Sequence, residues 1–402
     1  MTDSGPRLAL VGGRLVLPDR VVDDRALLLR GGRIEAVVRD ADVAHDVERI
    51  DVGGALVAPG LIDIHTHGAL QRSFLDGSDD AFATILAEQA RHGVSALLAT
   101  TSTAPLASIV AALERTRAWL GERAPDGARL LGAHVEGPYF AASQSGAQDP
   151  AHLRTPDDGS ADTLLAYADV IRVLSFAPEL PGAVELTRRC AALGIVAAAG
   201  HAEATDADLA ACEAWGLRHV IHLWSGQSTT VRDGPWRRPG LLEASLASTA
   251  LTGEVIADGR HLPPTLLRLA YRALGPERLC LVSDATSGAG LPDGTRFTMG
   301  EMTYEVADGV GMMLDRTGFA GSTTFLDGML RVMTDRVGVP LPEAVRMASL
   351  TPARVIGVDG EAGSLEVGKR ADLALFEDDL TPRCTVIGGR VVSGRWTRGD
   401  AR

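Results

Sequence analysis

A chain of 402 residues is longer than one ordinary small domain, and 46% hydrophobic residues without an apolar run long enough to span a bilayer is the composition of a soluble globular protein. A formal net charge of -13 disfavours nucleic acid and anionic membranes, which both reward clustered positive charge, and leaves a small molecule as the default partner. Four scattered cysteines, Cys190, Cys212, Cys280 and Cys384, form no C-x-x-C pair, which argues against a disulfide framework or a thiolate metal site; any metal must be held by His, Asp and Glu. The first residues, "MTDSGPRLALVGG", show no basic segment followed by a long apolar core, so the expected location is the cytoplasm.

In chain order, the short alternating segments "RLALVGGRLVLPD", "RALLLRGG" and "RIEAVVRD", divided by Gly and Asp turns, suit a small antiparallel sheet. The last part, "GSLEVGKRADLALFED" and "CTVIGGRVVSGRW", has the same texture. Between them, apolar runs of strand length alternate with helical stretches such as "AFATILAEQARHG" and "GAVELTRRCAALG". Candidate strands fall at "GLIDIH", "SALLATT", "LLGAHVE", "IRVLSFAPE", "IVAAAGH", "HVIHLW", "LTGEVIAD" and "LCLVSDA", the eight that a (β/α)8 barrel needs. The expected architecture is α/β: a TIM-type barrel over residues 59–355, with a small β-sandwich domain built from residues 1–58 and 356–402.

The polar residues then fall into an order. Catalytic groups of such barrels sit at the C-terminal strand ends, which share one pocket. His65 and His67 close the first candidate strand, Glu136 the third, His201 the fifth, His222 the sixth and Asp284 the eighth. In "DIHTHG" the two imidazoles stand at i and i+2, on one face of a strand, and converging neutral imidazoles suit a borderline metal such as zinc. Taken singly, each residue has an ordinary explanation, a strand-end cap, an ion pair or a turn start. Six metal-competent side chains at matching ends of five strands are hard to call accidental. His45, His92, His152 and His219 are read as surface or packing residues.

The motifs "PGLIDIHTHG", "GAHVEGPYF", "SFAPE", "AAGHAEAT", "VIHLWSG", "DGRHLPP", "LVSDAT", "GFAGSTTFLDGM" and "SLTPARVIGV" with "GSLEVGKRADLALF" run nearly end to end. Through them the chain resembles the amidohydrolase superfamily and, within it, the N-acetylglucosamine-6-phosphate deacetylases. The resemblance implies a metal-dependent amide hydrolase in which Glu136, His201 and His222 hold a divalent metal. His65 and His67 offer a second site, and Asp284 is the general base and acid. Related hydrolases that bridge two metals with a carboxylated lysine give no alternative here, because the only lysine, Lys369, lies in the C-terminal sheet segment; Glu136 is the natural substitute.

The expected chemistry is a metal that lowers the pKa of its water and polarises the amide, while Asp284 moves the proton to the departing amine. His261, in "ADGRHLPP", resembles the family's substrate-contacting histidine, and His134, at i−2 from Glu136, stands as support or as a direct contact. The chain departs from the family where Asn-Ala usually follows the sixth strand and Ser225-Gly226 stands here, and where a sugar-contacting His is usual and Gln148 stands here. Arg237 matches a family arginine that reaches the substrate phosphate from a neighbouring subunit, which implies a homodimer. The leading reading is removal of the acetyl group from N-acetylglucosamine 6-phosphate. The changes at Gln148, Ser225 and Gly226 speak for another N-acyl amino sugar or small amide. A non-enzymatic assembly protein on the same scaffold is disfavoured because the ligand residues are all present.

Overall fold

In the computed structural model, residues 7–120 and 126–397 are described. Eight parallel strands stand side by side in chain order: β1 (Leu61–Thr66), β2 (Val94–Thr100), β3 (Arg129–Glu136), β4 (Ile171–Phe176), β5 (Val196–Ala199), β6 (His219–Val220), β7 (Thr252–Ile256) and β8 (Leu279–Val282). Each coincides with one of the eight apolar runs, and β1, β2 and β8 are buried along their whole length. A parallel strand packed on both faces reads as a continuous apolar run, so this match has a physical cause.

The barrel closes at its C-terminal end, where Thr66 bridges Ala285 and the Asp284 amide donates to the His65 carbonyl at 2.9 Å. Buried Asp63 seals the same seam: it accepts from the Ser283 amide at 3.3 Å and from the Ser283 hydroxyl. Burial pushes the Asp63 carboxyl up to about 7, against the pull of those hydrogen bonds. Helices follow the strands and start on local caps; the Ser78 hydroxyl, for example, accepts from the Ala81 amide ahead of the helix Asp79–Arg91.

The two ends of the chain share one sheet. Leu56–Pro59 lies antiparallel to Leu373–Phe376, in a six-stranded sheet completed by Pro382–Ile387, Arg390–Gly394, Arg14–Val16 and Val21–Val22. A four-stranded sheet from the N-terminal part packs against it over an apolar core that includes Leu10, Leu27, Ile34, Val57, Leu373 and Leu375. The expectation of antiparallel pairing needs one correction. Arg7–Val11 runs parallel to Glu48–Asp51, and Arg14–Val16 runs parallel to Leu56–Pro59, because each partner returns to its sheet by a crossover rather than a hairpin.

Sequence reading found no structure between β8 and the next helix, yet a four-stranded antiparallel sheet lies there: Arg296–Met299, Met302–Ala307, Val310–Met313 and Phe319–Ser322. The alternation of apolar and polar residues, clearest in "MTYEV", was the available signal. The sheet is tied to the mouth of the barrel by the Ser322 amide, which donates to the Asp284 carbonyl at 2.8 Å.

Candidate active site

The ends of β1, β3, β5, β6 and β8 bring His65, His67, Glu136, His201, His222 and Asp284 together. Glu136 is the hub. Its Oε1 lies 3.0 Å from His222 Nε2, 3.3 Å from His201 Nε2 and 3.5 Å from His65 Nε2. Its Oε2 lies 3.4 Å from His67 Nε2, which is itself 3.2 Å from Asp284 Oδ1. Two groups able to grip a metal therefore share this one carboxylate, His65–His67–Glu136 and Glu136–His201–His222.

The donor set fits a divalent metal on a further observation: His65 Nε2, which faces Glu136, is buried with no hydrogen-bond partner. Orphaned buried nitrogens are costly, and a ligand role is a ready explanation. The electrostatics agree. Burial works against charge on Glu136, yet His65, His201 and His222 hold its carboxyl well below the usual range. Burial likewise disfavours a charged His65, but Glu254 and Glu136 hold it well above the usual histidine value. The cluster is a place where positive charge is stabilised.

Backbone and neighbours aim these side chains. His201, Trp224 and Asp284 adopt left-handed φ values of 45°, 74° and 45°, a conformation uncommon for non-glycine residues. The His201 Nδ1–H donates to the Gln144 carbonyl at 2.7 Å, which leaves Nε2 for the site. Gly226 must lack a side chain: its φ is +59°, and a Cβ would sit 2.6 Å from His201 Nδ1.

The pocket above the cluster has a volume of about 300 Å3, at the small end for small-molecule sites. Gln148, Ser225, Gly226 and His261 line it, as expected, together with Trp224, Thr286, and Met299 and Phe319 from the inserted sheet. His261 donates through Nδ1 to Asp258 at 2.7 Å, and Asp258 also accepts from the Ser322 hydroxyl at 3.0 Å. Despite burial, the His261 contacts hold the Asp258 carboxyl below its ordinary value. Sequence reading missed Asp258, although it stands three residues before His261.

Three expectations change. His134 does not reach the pocket: it is fully buried behind His65, with its ring nitrogens 3.1 Å from the Ile64 carbonyl and 2.6 Å from Ser175 Oγ. Burial and the neighbouring His65 push it down to about 3, so it is a neutral support. Gln148 has its amide engaged by the protein, accepting from the Thr103 amide at 2.7 Å and donating to Glu136 Oε2 at 2.6 Å. His219, read as an ordinary packing residue, is a fully buried barrel-strand histidine 3.0 Å from Glu254, a residue that sequence reading passed over. Arg237 stays outside this chain's pocket, on the exposed hairpin Val231–Asp233 and Trp236–Arg238.

Residues 56–392 match the Amidohydrolase family, and the chain belongs to it. It is 34% identical over 383 residues to an N-acetylgalactosamine-6-phosphate deacetylase of Escherichia coli, covering 94% of this chain and 98% of that protein. It is also 34% identical over 362 residues to an N-acetylglucosamine-6-phosphate deacetylase of Vibrio furnissii, covering 90% of this chain and 88% of that protein. The crystal structure of the N-acetylglucosamine-6-phosphate deacetylase from Pasteurella multocida superposes with a TM-score of 0.89 at 28% identity, over 96% of this chain and 99% of that one.

Proposed function

We propose that this chain is a metal-dependent amide hydrolase that removes the acetyl group from N-acetylglucosamine 6-phosphate. The observation that carries the reading is the convergence of His65, His67, His201 and His222 on Glu136, with Asp284 beside them at the floor of a small pocket. Relatives 34% identical over nine-tenths of the chain are named amino-sugar-phosphate deacetylases, which supports it.

Glu136, His201 and His222 would hold one divalent ion, and His65 and His67 a second that shares Glu136; nitrogen and carboxylate donors suit zinc. Such an ion supplies an acidified water and a polarised amide carbonyl. Asp284 supplies the proton transfer. Burial would push its carboxyl up, but the hydrogen bond from His67 and the charge of His65 hold it below its ordinary value, so it is ionised at neutral pH and ready to act as a base. It takes a proton from the attacking water and returns it to the sugar nitrogen, which cannot depart as an amide anion. His261, with Nδ1 engaged by Asp258, turns Nε2 to a sugar hydroxyl, while Ser225 and the backbone at Gly226 contact the ring. Gln148 acts chiefly by fixing Glu136.

Among the described residues, no lysine or arginine lines the pocket. Recognition of a phosphate then calls for a cation from elsewhere, and the hairpin with Arg237 and the 75% exposed Trp236 is suited to docking on a second copy. The reading therefore includes a homodimer in which Arg237 of one copy meets the phosphate held by the other. Four buried free thiols and a phosphorylated substrate fit the cytoplasm.

A second reading, the galacto epimer of the substrate, is favoured by one observation, the name of the Escherichia coli relative. Deacetylation rates on N-acetylglucosamine 6-phosphate, N-acetylgalactosamine 6-phosphate and both unphosphorylated sugars separate these readings. A kcat/KM at least about tenfold higher for the gluco phosphate supports the first, and the reverse ratio supports the second. Absence of turnover on every phosphorylated N-acyl amino sugar by metal-replete protein would overturn both.

A further inference from the structure

Glu254 lies on β7 inside the barrel and is wholly buried, at a level where such interiors are normally filled by branched apolar side chains. A buried carboxylate costs several kcal/mol on the order of magnitude unless its lone pairs are engaged. Those of Glu254 are. Oε2 accepts from His65 Nδ1 at 2.8 Å and from the His222 amide at 3.3 Å; Oε1 accepts from His219 Nε2 at 3.0 Å. His219 is held in turn by Thr252 Oγ1, 2.6 Å from its Nδ1. Neither Glu254 nor His219 lines the pocket, so neither touches substrate.

The consequence falls on His65. With Nδ1–H donated to a full negative charge, the nitrogen left to face the cluster is Nε2, which is buried, unpartnered and aimed between Glu136 Oε1 at 3.5 Å and Asp284 Oδ1 at 3.7 Å. The other half of the cluster is supported differently, since His201 is oriented by a neutral main-chain carbonyl. A charged acceptor raises the basicity of the ring more than a carbonyl does.

We infer that Glu254, braced by His219, is a positioning residue that fixes the orientation of the His65 ring and so sets how tightly the β1-side site grips its ion. The inference rests on the metal-hydrolase reading above.

The test is metal binding, independent of turnover. Wild-type protein, Glu254→Gln, Glu254→Ala and His219→Gln are stripped by chelation, titrated with Zn2+ by equilibrium dialysis, and checked for folding by near-ultraviolet circular dichroism. Wild type should bind two ions per chain. Glu254→Gln, which keeps the shape and an acceptor but loses the charge, should weaken one of the two by about 10- to 100-fold and leave the other unchanged. Glu254→Ala should hold one ion only. His219→Gln, which keeps the carboxylate but loosens it, should show a smaller loss at the same site and stands in if the Glu254 variants fail to fold. Two ions bound with unchanged affinity in folded variants, or a single ion in wild type, would overturn the inference while leaving a metal hydrolase intact. Wild type that binds no ion would remove the underlying reading as well.

Discussion

At the mouth of the barrel, Glu136, Glu254, His65 and His222 are charged or ionisable groups no more than 3% exposed. In the terminal β-sandwich the core between the sheets is apolar, and ion pairs such as Arg7–Glu35 and Arg33–Glu361 stay at the partly or fully exposed rim. The sandwich follows the rule that apolar burial stabilises, and the barrel mouth breaks it with buried carboxylates and imidazoles that must be held by one another or by a ligand. Stability and chemistry are thus assigned to different regions, and substitutions should separate accordingly.

The largest expected effect is at the mouth. His201→Ala should abolish turnover and strip the ion shared with Glu136 and His222, with little change in the sandwich; replacing His65 and His67 should remove at most one ion. Metal analysis and activity on one preparation check this, and full activity of wild type after exhaustive chelation would break the comparison at its root. Next, Asp284→Asn should lower kcat by about 10² or more at nearly unchanged substrate affinity and metal content. Near-normal kcat in folded, metal-replete protein would remove Asp284 as the proton carrier.

The sandwich should respond in the opposite sense. Leu375 is fully buried between the sheets, so Leu375→Ala should cost about 3 kcal/mol in a denaturant titration while turnover per folded molecule is kept. Smallest is a joint within the barrel wall, where His92 at the end of the helix Asp79–Arg91 lies 2.9 Å from Asp327 and stacks on Phe325. Burial opposes its charge, but the hydrogen bonds to Asp327 and Glu88 raise it to about 9 from 6.5. Its stabilisation is therefore full below about 6.5 and lost as pH rises through about 9. His92→Gln should cost about 2 kcal/mol at pH 6 and much less at pH 10, read from denaturant midpoints.

The same contrast explains what could be read from sequence. The eight barrel strands were legible because burial on both faces forces continuous apolar runs, and the site because each run ends in a residue with no reason to be apolar. Glu254 was not legible: a glutamate within "LTGEVIAD" has the same letter whether it faces solvent, a helix or the barrel axis, and the pattern of one strand does not say which. His219 failed for the same reason, since its partner lies on the neighbouring strand. Gln148 lines the pocket, but its bond to Glu136 depends on how the loop after β3 folds back, which no local pattern encodes. The inserted sheet at 296–322 was not legible because its strands are only four to six residues long, too short for a clear period.

That insertion has a consequence for how the protein can change. Its residues Met299, Gly318, Phe319 and Gly321 form one wall of the pocket, while the ligand-bearing cluster comes from the barrel strands. Its strands pair with one another as a self-contained meander that rejoins the barrel through Ser322. The wall can therefore vary, altering which sugar is admitted, only as far as Ser322 is kept, because that residue holds both the Asp284 main chain and Asp258.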